Sequence, residues 1–209
     1  MIFSDRREAG RMLGEALGER AGALVLGIPR GGVIVAVEVA PVTRGMLDVV
    51  VPRKLGAPAN PELGIGAVAA DGTTVLDERL VNALRVTEEY IAAEVARQLK
   101  EIKRRLALYR AGRPRLSVSG RDCIVVDDGI ATGGTAEVAV RSLRAQGARS
   151  VVLAVPVAPY ESIERLSAVA DEVVCLATPE PFAAVGQWYA HFPQVSDAEV
   201  LVALGAEGA

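Results

Sequence analysis

The chain has 209 residues, 51% hydrophobic and 23% charged, with a net charge of −3 and a pI near 5.4. That balance excludes a disordered or collagen-like polymer, leaves enough apolar mass for one sizeable core, and gives no overall attraction to nucleic acid. With two cysteines and one histidine, neither a disulfide framework nor a His/Cys metal cage is encoded. Cys123 and Cys175 sit in strand-like apolar runs and are read as core. No apolar run reaches the roughly 18 residues of a membrane helix. The opening "MIFSDRREAG" carries acids where a signal peptide would be apolar, so a cytoplasmic protein with no membrane partner is expected.

In chain order, Ser4 or Asp5 is placed to cap a helix whose apolar face is Ala9, Met12, Leu13, Ala16 and Leu17, following the three-and-four spacing of a helical stripe. A strand over 23–28 leads through "PRGG" into a helix-like "VIVAVEVA", and a second strand covers 47–51. "PRKLGAPANP" (52–61) is rich in Gly and Pro and reads as a long exposed loop, a kind of segment that is often functional. Strand character resumes over 64–70, "DGTTVLDE" reads as a turn, and Asp77 caps a short helix. Thr87 caps a longer one, striped by Ile91, Val95, Leu99, Ile102, Leu106 and Tyr109, a stripe expected to pack on its own domain or a twin subunit. Strands at 122–127, 150–156 and 172–176 alternate with helices at 134–146 and 160–169. Beyond Pro179 no period is visible, although Phe182, Trp188, Tyr189 and Phe192 crowd there. Alternating strands and helices predict an α/β domain on a mainly parallel twisted sheet flanked by helices.

The stretch "CIVVDDGIATGGTAEV" (123–138) carries the chemistry. Asp127 and Asp128 fall at the carboxyl end of a buried strand, where open α/β sheets bind ligands. Gly129, Gly133 and Gly134 then turn the chain into a helix, whose first N–H groups and partial positive charge suit a phosphate, with the Thr132 and Thr135 hydroxyls as further donors. Carboxylates only accept hydrogen bonds, so the pair suits a neighbouring part of the same ligand, with hydroxyls or a developing cation. A sugar phosphate satisfies both halves. "GIGAVA" (64–69) imitates a dinucleotide fingerprint but reads as strand, and "GIATGGTA" lacks the lysine of a P-loop.

At these residues the chain resembles the type I phosphoribosyltransferases, whose motif is an apolar strand, two acids and a Thr/Gly-rich loop. "GIPRGGV" and "VPRKLGAPANPELGIGAV" are similar to two further segments of that family, and the resemblance runs over roughly residues 1 to 180. It implies that Asp127 and Asp128 bind the ribose hydroxyls of 5-phosphoribosyl pyrophosphate (PRPP), and that Ala131, Thr132, Gly133, Gly134 and Thr135 wrap its 5'-phosphate. Arg30, Gly31, Gly32, Arg53 and Lys54 would meet the pyrophosphate, with Lys54 catalytic beside the two acids and residues 55–62 closing as a loop. Magnesium would arrive with PRPP rather than in a protein cage. Members that use 6-oxopurines have an acid where this chain has Ala131. One domain over 1–209 is implied, with residues 77–111 and 178–209 as hood elements and Ile130, Phe182 and Trp188 near a flat acceptor. Trp188 has core filling as its plainer role, and His191 is read as exposed structure. A homodimer is expected on the same ground. The implied function is phosphoribosyl transfer to a nucleobase-like nitrogen. The alternative is a PRPP-responsive regulator of the same fold.

Overall fold

The Asp5 side chain accepts from the N–H groups of Arg7 and Glu8 and so starts α1 (Arg6–Leu17), as a short acceptor at the N-cap should. The computed structural model describes residues 2–111 and 114–205. After α1 come β1 (Leu24–Gly27), α2 (Gly31–Thr43), β2 (Met46–Val49), β3 (Arg53–Ala57), β4 (Asn60–Val68) and β5 (Thr74–Leu76). Then follow α3 (Glu78–Ala83), α4 (Glu88–Arg110), β6 (Asp122–Val126), α5 (Gly134–Ala145), β7 (Ser150–Val157), α6 (Tyr160–Ser167), β8 (Glu172–Ala177) and α7 (Asp197–Ala203).

Five strands form a parallel sheet in the order β2-β1-β6-β7-β8. Its inner strands are aliphatic without interruption because both faces are covered. Leu24, Leu26, Cys123 and Val125 point to α5, meeting Ala136, Ala139 and Leu143. The alternate residues Val25, Ile124 and Val126 point to α1 and α2, meeting Leu13, Leu17, Val35 and Val39. Full burial of Leu13 is worth about 1.5–3 kcal/mol of apolar transfer. The chain moves outward in one direction from β1 to β2 and in the other from β6 to β8. The crevice at the carboxyl ends of β1 and β6 is therefore the topological switch point.

Two expectations need correcting. Residues 52–61 are not a loop: β3 and β4 pair antiparallel across a two-residue turn, with Arg53 opposite Val68 and Lys54 opposite Ala67, and β5 adds a third strand where a turn was expected. Gly and Pro disguised the strands because the register shifts around Gly56, where a Cβ would lie 2.6 Å from the Pro61 carbonyl oxygen. Buried Leu55, Ala57 and Ile65 are what hold the hairpin down. The tail is not patternless either. A 3-10 turn (Val185–Trp188) precedes α7, whose N-terminus is a Ser196–Glu199 capping box. Val200 and Leu204 pack with Ile102 and Tyr109 of α4 and with Leu55, so helix, hairpin and tail share one apolar cluster. No helix among the described residues is long and apolar enough to cross a membrane.

Candidate functional site

Asp127 and Asp128 follow β6 directly, and the first turn of α2 crosses in front of them. A Cβ at Gly31 would overlap the Asp128 carboxyl group, and one at Gly32 would sit 2.7 Å from the Val126 carbonyl oxygen and 2.9 Å from Asp127 Oδ1. Only glycine allows this approach. Asp127 Oδ1 accepts from the Asp128 N–H at 2.9 Å. Burial, and then the neighbouring Asp128 carboxylate, push the Asp127 carboxyl well above its ordinary value. Burial also raises Asp128, against the lowering effect of Arg6, whose Nε donates to Asp128 Oδ2 at 2.7 Å. The Tyr189 hydroxyl donates to the Asp128 main-chain carbonyl at 2.5 Å.

The Thr/Gly loop is held from beneath by α6. Ser162 Oγ donates to the Ala131 carbonyl at 2.7 Å, and the Arg165 guanidinium donates to the Thr132 carbonyl. Gly133 caps α5 with φ 74°, and its Cβ would meet Leu166 Cδ1 at 3.0 Å. With the carbonyls turned inward, the N–H groups of Thr132, Gly133, Gly134 and Thr135 find no acceptor among the described residues. These donors and the helix dipole make an oxyanion cradle.

On the other side, Arg6, Arg30, Gly31, Phe192 and Gln194 help line a cavity of about 370 Å³. Arg30 Nη1 stands 4.0 Å from Asp197 Oδ1, which accepts from the Tyr109 hydroxyl at 2.6 Å. Burial and the Asp197 hydrogen bond push that phenol up to about 12.

The remaining expected residues are dispersed. Arg53 Nε donates to Gln98 Oε1 of α4 at 2.9 Å, and Arg53 lines a separate depression with Arg97, Lys100 and Arg104, apart from the cavity that Arg30 and Gly31 line. Lys54 Nζ donates to the Glu62 carbonyl at 2.6 Å and lies 3.4 Å from Glu62 Oε2, folded onto its own hairpin. Ile130 is 3% exposed, and its N–H is taken by the Val157 carbonyl at 2.9 Å. Its side chain belongs to the core between the sheet and α5. Phe182 and Trp188 stack on each other with centroids 6.2 Å apart, while the neighbouring Val185 covers Gly129, where any Cβ would run into it. Sequence reading missed Arg6, Tyr189, Phe192 and Asp197. The crowded aromatics were the one signal for the tail, and the SDAE spelling (196–199) was an available sign of α7.

Known proteins resemble this chain over most of its length. A Mycobacterium tuberculosis protein, provisionally named a phosphoribosyl transferase, is 48% identical over 97% of this chain. The chain spans about half of that relative's length (46%). A Thermus thermophilus protein known from its crystal structure is 48% identical, with a TM-score of 0.81 and coverage of 98% of both chains. A uracil phosphoribosyltransferase of Lactobacillus gasseri matches 39% of this chain at 33% identity, over 38% of its own length. The model of the phosphoribosyl transferase domain matches residues 7–188, and the chain belongs to that family.

Proposed function

We propose that this domain transfers the 5-phosphoribosyl group of PRPP to a nucleobase-like nitrogen, releasing pyrophosphate. The observation that carries this reading is the apposition of three parts: the half-buried Asp127–Asp128 pair, the Gly31–Gly32 turn pressed against it, and the cradle of N–H groups at α5. The cradle takes the 5'-phosphate, the acids accept from the ribose hydroxyls, and Arg30 with the Gly31 and Gly32 N–H groups faces the diphosphate. As the anomeric bond stretches, positive charge grows on the ribose beside two carboxylates and negative charge grows on the diphosphate beside arginine. Both developments are stabilised by groups already in place. The β3–β4 hairpin, carrying Lys54, is the element suited to close over the cleft and exclude water.

The family uses magnesium with PRPP. An ion arriving with PRPP would take its ligands chiefly from the diphosphate and water. When bound, such an ion neutralises charge on the leaving group. A PRPP-binding regulator is the second reading, favoured by the observation that Lys54 is engaged by Glu62. Pyrophosphate release from magnesium–PRPP across a panel of purine, pyrimidine and related acceptors, with Asp128→Asn as the blank, tests both. Release that depends on one acceptor supports the enzyme. PRPP binding with no release from any acceptor supports the regulator, and absence of PRPP binding rejects both.

A further inference from the structure

Arg6 lies between two places that a phosphoribosyl donor must occupy at once. Its side chain is 8% exposed. Nε donates to Asp128 Oδ2 at 2.7 Å, Nη1 donates to the Pro193 carbonyl at 2.9 Å, and the guanidinium carbon sits 3.7 Å from the centroid of the Phe192 ring. Those contacts fix the plane of the group, and Nη2 has no acceptor among the described residues. The same side chain lines the cavity shared with Arg30 and Gly31. A guanidinium held in one plane, with unused donors facing a cavity that a second arginine also lines, favours an oxyanion there.

Resting on the PRPP reading above, we propose that Arg6 joins the two ends of the substrate site: it orients Asp128 toward the ribose through Nε and offers its remaining N–H groups to the diphosphate. A planar fork serves both directions, which a single ammonium point charge cannot do. No local pattern hinted at this, because Arg6 is the first residue of α1 and stands 122 positions from Asp128.

The charge environment supplies a diagnostic. The groups facing the Asp128 carboxyl are Asp127 beside it, Arg6 from α1 and the uncharged Gly31 of α2, with Arg30 across the cavity and the Tyr189 hydroxyl on its main chain. Burial raises the Asp128 carboxyl and Arg6 is the first influence opposing it. Without Arg6 the carboxyl keeps its proton to higher pH, and the ribose hydroxyls lose an acceptor as pH falls.

Calorimetric titration of magnesium–PRPP and of inorganic pyrophosphate into wild type, Arg6→Gln and Arg6→Lys, between pH 6 and 8.5, tests the proposal. Arg6→Gln should bind magnesium–PRPP about ten- to a hundredfold more weakly, the loss expected for a charge-assisted contact. Its deficit relative to wild type should widen toward pH 6, and pyrophosphate binding should weaken with it. Arg6→Lys keeps the charge, so its deficit should be smaller and constant with pH. Variants that bind both ligands as wild type does overturn the inference. So does a pH-independent deficit in Arg6→Gln that leaves pyrophosphate binding intact, the mark of a packing role only. If Arg6→Gln does not fold, Arg6→Lys decides alone: affinity equal to wild type for both ligands rejects the fork, and weakened binding of both at an unchanged melting temperature supports it. Wild type that binds no PRPP overturns the underlying reading, an outcome distinct from equal binding by all three proteins.

Discussion

The two banks of the cleft are built differently. The bank of the proposed phosphate cradle, Asp127 to Thr135, is a main-chain device: a buried strand ends, two acids follow, and a positive-φ glycine starts a helix with its N–H groups outward. The opposite bank is assembled from side chains far apart in the chain. Arg6 reaches Asp128 across 122 positions, Tyr189 reaches it across 61, and Tyr109 reaches Asp197 across 88. A phosphate cradle requires donors on a fixed curve, which a short spacing of glycines supplies. The electrostatics of the acids and the shape over an acceptor require only that some side chain arrive, from whichever element passes nearby.

This contrast ranks the consequences of substitution. On the phosphate bank, Asp128→Asn should lower pyrophosphate release by at least about a hundredfold, the scale of removing a preorganised charge partner of the transition state. Its melting temperature should change little, and near-normal turnover would remove Asp128 from the ribose. Gly31→Ala should be next. Its Cβ has to displace the Asp128 carboxyl group, which costs about 1–3 kcal/mol of overpacking and should lower PRPP affinity together with stability. A variant that binds and melts like wild type would show that the close approach is dispensable. On the assembled bank, Tyr189→Phe removes one hydroxyl from the Asp128 carbonyl and should cost about 0.5–1.5 kcal/mol, seen as a loss of PRPP affinity of up to roughly tenfold. If it matched Asp128→Asn, the two banks would not differ as described. Lys54→Ala should leave stability within about 0.5 kcal/mol, because its pair with Glu62 is largely exposed, while slowing turnover if the hairpin closes. Unchanged stopped-flow turnover would assign Lys54 to the hairpin alone.

The same contrast explains what the sequence disclosed. The parallel sheet was legible because Val25, Ile124 and their neighbours alternate between two covered faces, and the acid pair with its Thr/Gly loop was legible because its parts are consecutive. The hairpin was not, since its register shift and prolines look like loop while Leu55 and Ile65 are buried by α4, α7 and the rest of a distant cluster. Arg53 and Lys54 follow a strand end as expected, yet partners on α4 and at Glu62 decide where they point. Arg6 resembled any charged first-turn residue. Its role depends on Phe192 and Pro193, which no local spacing connects to it.

The smallest expected effect is also the one most specific to the acid pair. A carboxyl whose folded pKa is raised binds more protons in the folded state than in the unfolded chain. For Asp127 the raise comes from burial and from Asp128, so its contribution favours folding below the unfolded value of about 3.9 and is lost as pH climbs toward the folded value. Asp127→Asn keeps an oxygen for the Asp128 N–H but carries no charge to desolvate. Its melting temperature should therefore exceed that of wild type at neutral pH and fall less steeply as pH rises above the unfolded value, by an amount of order one to a few degrees. Differential scanning calorimetry across that range checks it. Parallel curves would mean that Asp127 is well solvated in the unliganded cleft, and the carboxyl pair would then impose no stability cost that ligand binding has to relieve.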